Sequence, residues 1–563
     1  MNLANNEIPP GRHAAWAIWS NPIFRRYCQS RLRLRGMGIS LLLTVLVAGF
    51  IVAMVSAFGI RSPMGTVGAA RFGFLPLLVI QGLILFVGGT AQVAGGMTAE
   101  RDEGVIDYQR LIPMSPLAKV LGYLFGLPVR EYVMFGVTLP FSAWLLWRGQ
   151  VAWDVWLPLL AVMLSSTLLY HLTGLLTGTV ARNRRWAFLA SIGLVFCLYT
   201  VVPQMAKFGL VFFKYLTIMP VLAESLPGLL PRPMAAVATA QHLLPTVRFF
   251  NLDFSEVVFT GFSQGGLILT FVVMLCRKWR RAEAHLLGKL WAAGFFIWIQ
   301  VLLLGNALPL IEPGTLFPSR GFAQMARVTM IWAPTAWEAV AMSGIYGFVT
   351  LMLIFVLGGL ITPSADHQLR GWRRARKQGA AALPRLADAA TAYGWVGAMA
   401  LAGAAGWFQF TRSLVESHWF PGHGVPLQTL GLFAAVMLSG GLGFQALLEA
   451  RGGRTVGLTA ILVCVVPLMA GVVLGVLSKG LLSTAVWLVG LSPLSMPFYA
   501  VASLLSIADL PDAVARDVPR AFYCWLSVGA VVTIWLSWRL WAARQAMARN
   551  VRAVPPALPV EET

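Results

Sequence analysis

Residues 38–60 read GISLLLTVLVAGFIVAMVSAFGI, an uninterrupted run with no ionisable side chain. A helix needs about 20 such residues to cross the roughly 30 Å hydrocarbon layer of a bilayer. The pattern recurs along the chain, at 73–97, 120–147, 152–179, 186–203 and 257–276. A second series follows at 290–308, 341–361, 394–411, 427–448, 455–477 and 521–537. Over the 563 residues, 58% are hydrophobic and 12% charged, and the mean hydropathy is +0.73. A soluble chain carries about 25% charged residues. In lipid every backbone group must be satisfied internally, and no alternating barrel-type segments occur. The expected fold is therefore all-α, a polytopic membrane protein with about 12 transmembrane helices in two six-helix halves.

The net charge of +21 would suggest nucleic acid in a soluble protein. Here no basic stretch is interleaved with aromatics on a soluble domain, so no nucleic-acid partner is expected. Membrane lipids are the expected counterpart, because Lys and Arg collect in cytoplasmic loops and at headgroups. With the N-terminus inside and twelve spans, the cytoplasmic segments hold 29 of the 43 Lys and Arg. Those segments are 1–37, 98–119, 180–185, 277–289, 362–393, 449–454 and 538–563. Both termini are then cytoplasmic, and the chain is placed in the cell (inner) membrane. The polar stretch before residue 38 has no small-residue cleavage pattern, so the first span reads as a retained anchor.

Two further apolar stretches, 208–230 and 481–509, are broken by Pro220, Pro227 and Pro231 and by Pro493 and Pro497. Counting 208–230 alone as a span would turn the clusters Arg277-Lys278-Trp279-Arg280-Arg281 and Arg370-Gly371-Trp372-Arg373-Arg374 outward, against the positive-inside rule. Both stretches are read as partly inserted or external; two extra full spans would preserve the parity as well. Order and charge divide the chain into halves 1–285 and 286–563, each with a long cytoplasmic loop after its second span.

Asn21-Pro22 is an N-cap followed by Pro at the first helical position. It opens an amphipathic elbow helix over 21–35, with Phe24, Tyr27, Cys28 and Leu32 on the apolar face. Arg25, Arg26, Arg33 and Arg35 lie mainly elsewhere, which predicts a helix on the cytoplasmic leaflet. Trp279, Ala282, Leu286 and Leu290 read as the same device before the seventh span. The five cysteines form no C-x-x-C pair, and the spacing of His418 and His423 does not stack two ligands on one helical face. No metal site is expected.

The densest polar cluster is the loop 98–119. Glu100, Asp102 and Glu103 read as the acidic start of a helix ending at Arg110, in keeping with the helix dipole. Val105, Tyr108, Leu111 and Ile112 supply its apolar stripe. Pro113 ends it, and Ser115-Pro116 caps the next helix.

The run Ala99-Glu100-Arg101-Asp102-Glu103-Gly104, followed after eight residues by Pro113-Met114-Ser115-Pro116, resembles the coupling segment of type-2 ABC exporter permeases. In that family a Glu-rich stretch ending in Gly-Thr precedes a Pro-containing turn; Val105 stands here where the Thr would be. Asn21-Pro22 with its Arg-rich helix is similar to the family's elbow helix. The second loop, 362–393, carries Arg370, Arg373, Arg374, Arg376 and Lys377 without the acidic run, so its coupling is either different or degenerate. The resemblance implies a permease whose partner is a nucleotide-binding ATPase subunit, expected as a dimer. It assigns Glu100, Arg101, Glu103, Gly104, Tyr108, Pro113, Ser115 and Pro116 to ATPase coupling. No Gly-x-x-x-x-Gly-Lys-Ser/Thr occurs: Leu290 follows Gly288-Lys289, and Glu283 replaces the first Gly. The chain is accordingly expected to bind no cofactor, to reach ATP only through its partner, and not to be an enzyme itself.

Arg130 and Glu131 fall within the third span, where a central charge costs about 2.5–3.5 kcal/mol. As neighbours in sequence they do not face one another. Either one faces a conduit or partner helix, or the chain bends at Pro128 and leaves both near the headgroups. Lys214 and Glu338 are placed at the outer interface, and Gly95-Gly96 and Gly440-Gly441 at close helix contacts. A twelve-span ion-coupled transporter is the alternative class, although the Gly-Arg-Arg element of its commonest loop signature is missing. A membrane-embedded lipid-modifying enzyme is a third; no Asp-Asp-x-x-Asp cluster supports it.

Overall fold

A computed structural model describes residues 15–61, 64–181, 183–231, 247–320, 333–380, 382–505 and 512–553. Among these, ten helices are long and apolar enough to cross a membrane, and an eleventh arises when the bent pair Pro116–Gly126 and Val129–Arg148 is counted as one. The only sheet among the described residues has two strands, β1 (Val247–Phe249) and β2 (Leu252–Phe254). The chain divides into two compact units. The first takes the described residues of 1–204, 213–247 and 252–284, and the second those of 205–212, 248–251 and 285–563.

The first unit opens with α1 (Pro22–Arg31), whose first amides are capped by the Asn21 side chain. It is followed by α2 (Leu34–Arg61) and α3 (Gly65–Gly82). A π-helical turn at Leu83–Gly89 then joins α3 to α4 (Thr90–Asp102). The sequence continues with α5 (Val105–Leu111), α6 (Pro116–Gly126), α7 (Val129–Arg148), α8 (Trp153–Val180), α9 (Arg184–Thr200) and α10 (Val202–Ala206). After them come α11 (Met219–Leu229) and α12 (Glu256–Arg280).

The apolar face of α1 is not left for lipid. Ile23, Phe24 and Tyr27 are buried against α6, where Gly122 and Gly126 allow the approach. A Cβ at those glycines would lie 2.8 Å from Asn21 Oδ1 and 2.8 Å from Tyr27 Cδ2. Ile23, which the expected stripe omitted, is the most buried of the set. The second lead-in helix does not form: α12 continues through Trp279 to Arg280, and 281–288 are turns and extended chain. Trp279 is withdrawn from any interfacial face because its ring stacks on Tyr123 at 5.3 Å.

In the second unit α13 (Lys289–Ala307), α14 (Ala336–Ile361), α15 (Ala365–Lys377), α16 (Tyr393–Val415) and α17 (Gln428–Arg451) are followed by α18 (Gly453–Ala460). A second π turn, Ile461–Val465, leads into α19 (Val466–Leu477). The unit ends with α20 (Leu482–Gly490), α21 (Met496–Ala502) and α22 (Asp512–Ala553). The helix α16 has 23 residues but is not among the ten most apolar ones. It is central instead of lipid-facing, with Val396, Trp407 and Phe410 all fully buried. Neither 208–230 nor 481–509 is one helix; the longest α-helical piece in either has 11 residues, a rise of about 16 Å.

Lipid offers helices no hydrophobic reason to associate, so packing and hydrogen bonds must hold them. A Cβ at Gly178 of α8 would stand 2.7 Å from Ala94 O and 2.6 Å from Met97 Cβ of α4. Gly440 and Gly441 admit Leu351 and Ile354 of α14 in the same way. The interior of the second unit adds a polar chain: Tyr346 Oη donates to Gln300 Oε1 (2.7 Å) and Gln300 Nε2 to Thr350 Oγ1 (3.1 Å). Trp407 Nε1 donates to Ser343 Oγ at 3.0 Å. Gly178→Val is expected to cost about 1–3 kcal/mol by overpacking, whereas Gly136→Ala, with open space around it, should change stability by less than about 1 kcal/mol. Thermal unfolding in detergent, followed by tryptophan fluorescence, compares the two.

Candidate functional site

The loop 98–119 is built differently from the single helix expected. Glu100 and Asp102 belong to the last turn of α4, and Gly104, with φ of 73°, breaks the chain before the seven-residue α5. A left-handed φ favours glycine because a Cβ would clash there. The acids therefore sit at a helix C-terminus, where the dipole opposes them. Glu100 is compensated by three groups. Arg26 pairs with it, Tyr27 Oη donates to Oε1 at 2.7 Å and Tyr123 Oη to Oε2 at 3.2 Å. One carboxylate thus ties α1 and α6 to the end of α4. Burial pushes the Tyr27 phenol up, and its bond to Glu100 does so further, keeping it a proton donor.

Arg101 turns the other way. Its Nη1 lies 3.4 Å from Gly178 O and 3.2 Å from Thr179 O, at the carbonyl end of α8. Glu103 is exposed. Ile112 is extended ahead of Pro113, and Ser115 caps α6, accepting from Ala118 N at 3.1 Å, with Pro116 at its first position. Lys119, 3% exposed, donates to Arg110 O (3.4 Å) and Ile112 O (3.0 Å), closing the carbonyl end of α5.

The expected stripe on α5 is reversed. Ile106 and Gln109 face inward, while Tyr108 is 67% and Leu111 82% exposed. The inward face is set by the packing of Ile106 in the cluster that contains Tyr27, Met97 and Tyr123, which periodicity in a seven-residue helix cannot specify. What remains outside is an aromatic and a leucine one turn apart, with Asp107 in the first turn paired to Arg110.

Arg130 and Glu131 do pair, contrary to the sequence reading. Arg130 Nε and Nη2 lie 3.2 and 3.0 Å from Glu131 Oε1. The helices α6 and α7 meet at 56° across Leu127-Pro128, so Arg130 lies in the first turn of α7 and its long side chain folds onto its neighbour. Glu131 is buried at that helix N-terminus, and its Oε2 has no hydrogen-bond partner among the described residues. Lys214 Nζ lies 3.5 Å from Glu256 Oε1, and Glu338 accepts from Ser319 N at 2.7 Å and completes the cap of α14.

The second unit contains a site that the sequence reading missed. Glu449, near the carbonyl end of α17, is held by Arg544 of α22, with Nε at 2.7 Å, and by Gln368 Nε2 of α15 at 2.6 Å. Arg376 of α15 also donates to Val551 O of α22. The available signal was a lone carboxylate two residues from a helix C-terminus, which needs a cation from elsewhere. Close by, the His285 and His367 rings stack at 5.1 Å. His285 Nδ1 donates to Leu360 O at 3.1 Å, and its backbone N lies 3.4 Å from Asp388 Oδ2. Among the described residues no three His, Cys, Asp or Glu side chains converge as a metal site. No family model matches the sequence, and no curated protein or solved structure matches it either.

Two expectations follow. Glu449→Ala leaves the Arg544 guanidinium unpaired in a largely buried setting and should cost about 3 kcal/mol. Glu100→Ala, whose partner Arg26 is 42% exposed, should cost only about 1–2 kcal/mol; chemical denaturation in micelles measures both. Burial lowers the His285 pKa more than Asp388 raises it, with His367 and Lys289 adding to the lowering. The neutral ring is favoured when folded, so its stabilisation is present above the ordinary value of about 6.5 and is lost as pH falls below it. Unfolding temperature should drop between pH 7.5 and 5.5, and His285→Gln should flatten that dependence.

Proposed function

We propose that this chain is the membrane-spanning permease of an ATP-driven exporter, energised by a separate ATPase subunit that docks on α5. The observation carrying this reading is the combination of a fixed frame and an open face. Glu100, Ser115 and Lys119 hold both ends of α5 to α4 and α6, while Tyr108 and Leu111 are left for a partner. A push on such a helix reaches the bent α6–α7 pair and the π-interrupted α3–α4 helix without being lost in a flexible loop.

The eleven apolar helices, together with α16, make twelve crossings with both termini in the cytoplasm; the Lys and Arg bias supports that orientation in an inner membrane. The chain binds no ATP itself. In the second unit α15, pinned through Glu449, offers the corresponding but cationic surface, with Arg373 and Lys377 exposed. An ATPase dimer would then meet two unlike surfaces.

Co-expression with ATPase subunits encoded beside this chain, followed by purification through the permease, tests the reading. Tyr108→Glu with Leu111→Glu is expected to reduce the co-purified ATPase at least about tenfold, with the unfolding temperature of the permease unchanged. ATPase retention by that variant, or full transport by the isolated chain without ATP, would refute it.

A further inference from the structure

Two arginines from different elements, Arg31 and Arg184, lie against one turn of α4, and Arg130 of α7 is close enough to Arg31 to act on its charge. Arg31, the last residue of α1, places Nη1 3.1 Å from Gln92 Oε1. A Cβ at Gly96 would lie 3.2 Å from Arg31 Nη2, and one at Gly95 would lie 3.6 Å from Arg184 Cγ and 3.7 Å from its Nε. Gly96 therefore leaves room for the Arg31 side chain, while Arg184 lies in ordinary contact with Gly95. Arg130 is the third, engaged with Glu131 through Oε1. Burial lowers the Arg31 pKa; Tyr27 and Glu131 oppose this, and Arg130 and Arg184 lower it further.

Charge does not balance here. Among the described residues, the charges that act on Arg31 include one carboxylate, Glu131, against the guanidiniums of Arg130 and Arg184. Arg31 is half-buried, and its guanidinium donates to a neutral amide oxygen. Partly buried cations without counter-charge are costly, and the planar guanidinium fork matches a phosphate. Arg184 also opens α9, so the positive end of that helix dipole adds to the field.

We propose that Arg31, Arg130 and Arg184, with Gln92, form a seat for a phosphate group on the cytoplasmic side of the first unit. Two sources share that chemistry, the headgroup of an anionic phospholipid and free phosphate. The setting favours the lipid. The adjoining helices α2 and α9 are the least covered of this unit, with 11% and 17% of their apolar windows buried, so the seat borders surface suited to acyl chains. Gly96 then serves the seat as well as the close contact with Leu127. Glu131 acts as an internal competitor that holds Arg130 back.

The test uses the purified full-length chain in detergent, with binding of dihexanoyl phosphatidylglycerol, inorganic phosphate and phosphate-free dihexanoylglycerol measured by thermophoresis. Saturable binding of the phosphatidylglycerol, weakened at least about tenfold in Arg31→Gln and in Arg184→Gln, is expected. Arg148→Gln, which removes a cation stacked on Trp144, should leave it unchanged, and Glu131→Gln should tighten it. Arg184 is exposed, so its variant folds and isolates the ligand effect. Competition by inorganic phosphate at matching concentration assigns the seat to free phosphate; failure to compete assigns it to the lipid. Equal binding of dihexanoylglycerol, or phosphatidylglycerol affinity unaltered in both arginine variants, would overturn the proposal.

Discussion

A carboxylate at the carbonyl end of a helix opposes the helix dipole, and the α4–α6 end of the first unit is organised around that conflict. Glu100 stands two residues from the end of α4, where its charge must be met from outside its own helix. Arg26 supplies the cation, and Tyr27 and Tyr123 supply the remaining donors. Because these come from α1 and α6, satisfying one side chain fixes two further helices. The close fit of α1 on Gly122 and Gly126 follows from the same requirement. With α4 and α6 held, the short α5 between them has little freedom, and its outward face is determined.

The second unit meets the same electrostatic problem with different residues. Glu449 occupies the equivalent place near the end of α17, its cation comes from α22 and its amide donor from α15. The amphipathic α15 is thereby tied to the bundle although its own sequence has no acidic run. The helices α5 and α15 are alike in how they are anchored and unlike in what they expose, an aromatic and a leucine on one, cations on the other. On the proposed reading, a symmetric partner is engaged asymmetrically.

Within the membrane-spanning layers, glycine contacts and short polar chains replace the hydrophobic drive that water would supply. This explains why α16, which is not among the most apolar helices, is well enclosed. Its neighbours, not lipid, surround Trp407 and Phe410, so it has no need of a strongly apolar surface. The π turns at Leu83–Gly89 and Ile461–Val465 interrupt two long helices, the second directly ahead of Pro467.

The helical, membrane-spanning character was legible in the sequence because transfer of about 20 apolar residues into hydrocarbon is a local, additive energy that needs no neighbours. Caps were legible for the same reason: Asn21 and Ser115 bond to amides two or three residues away. The face that α5 presents, the Arg130–Glu131 pair and the loss of the second lead-in helix were decided by tertiary structure, through a cluster contact, a bend at Pro128 and a stack on Tyr123. The Glu449 site spans 95 residues of chain between carboxylate and guanidinium, and the proposed arginine seat draws on α1, α4, α7 and α9. Periodicity reports which residues avoid water or lipid along one helix. Which helices meet, and which charges must then find one another, is set only when the chain has folded.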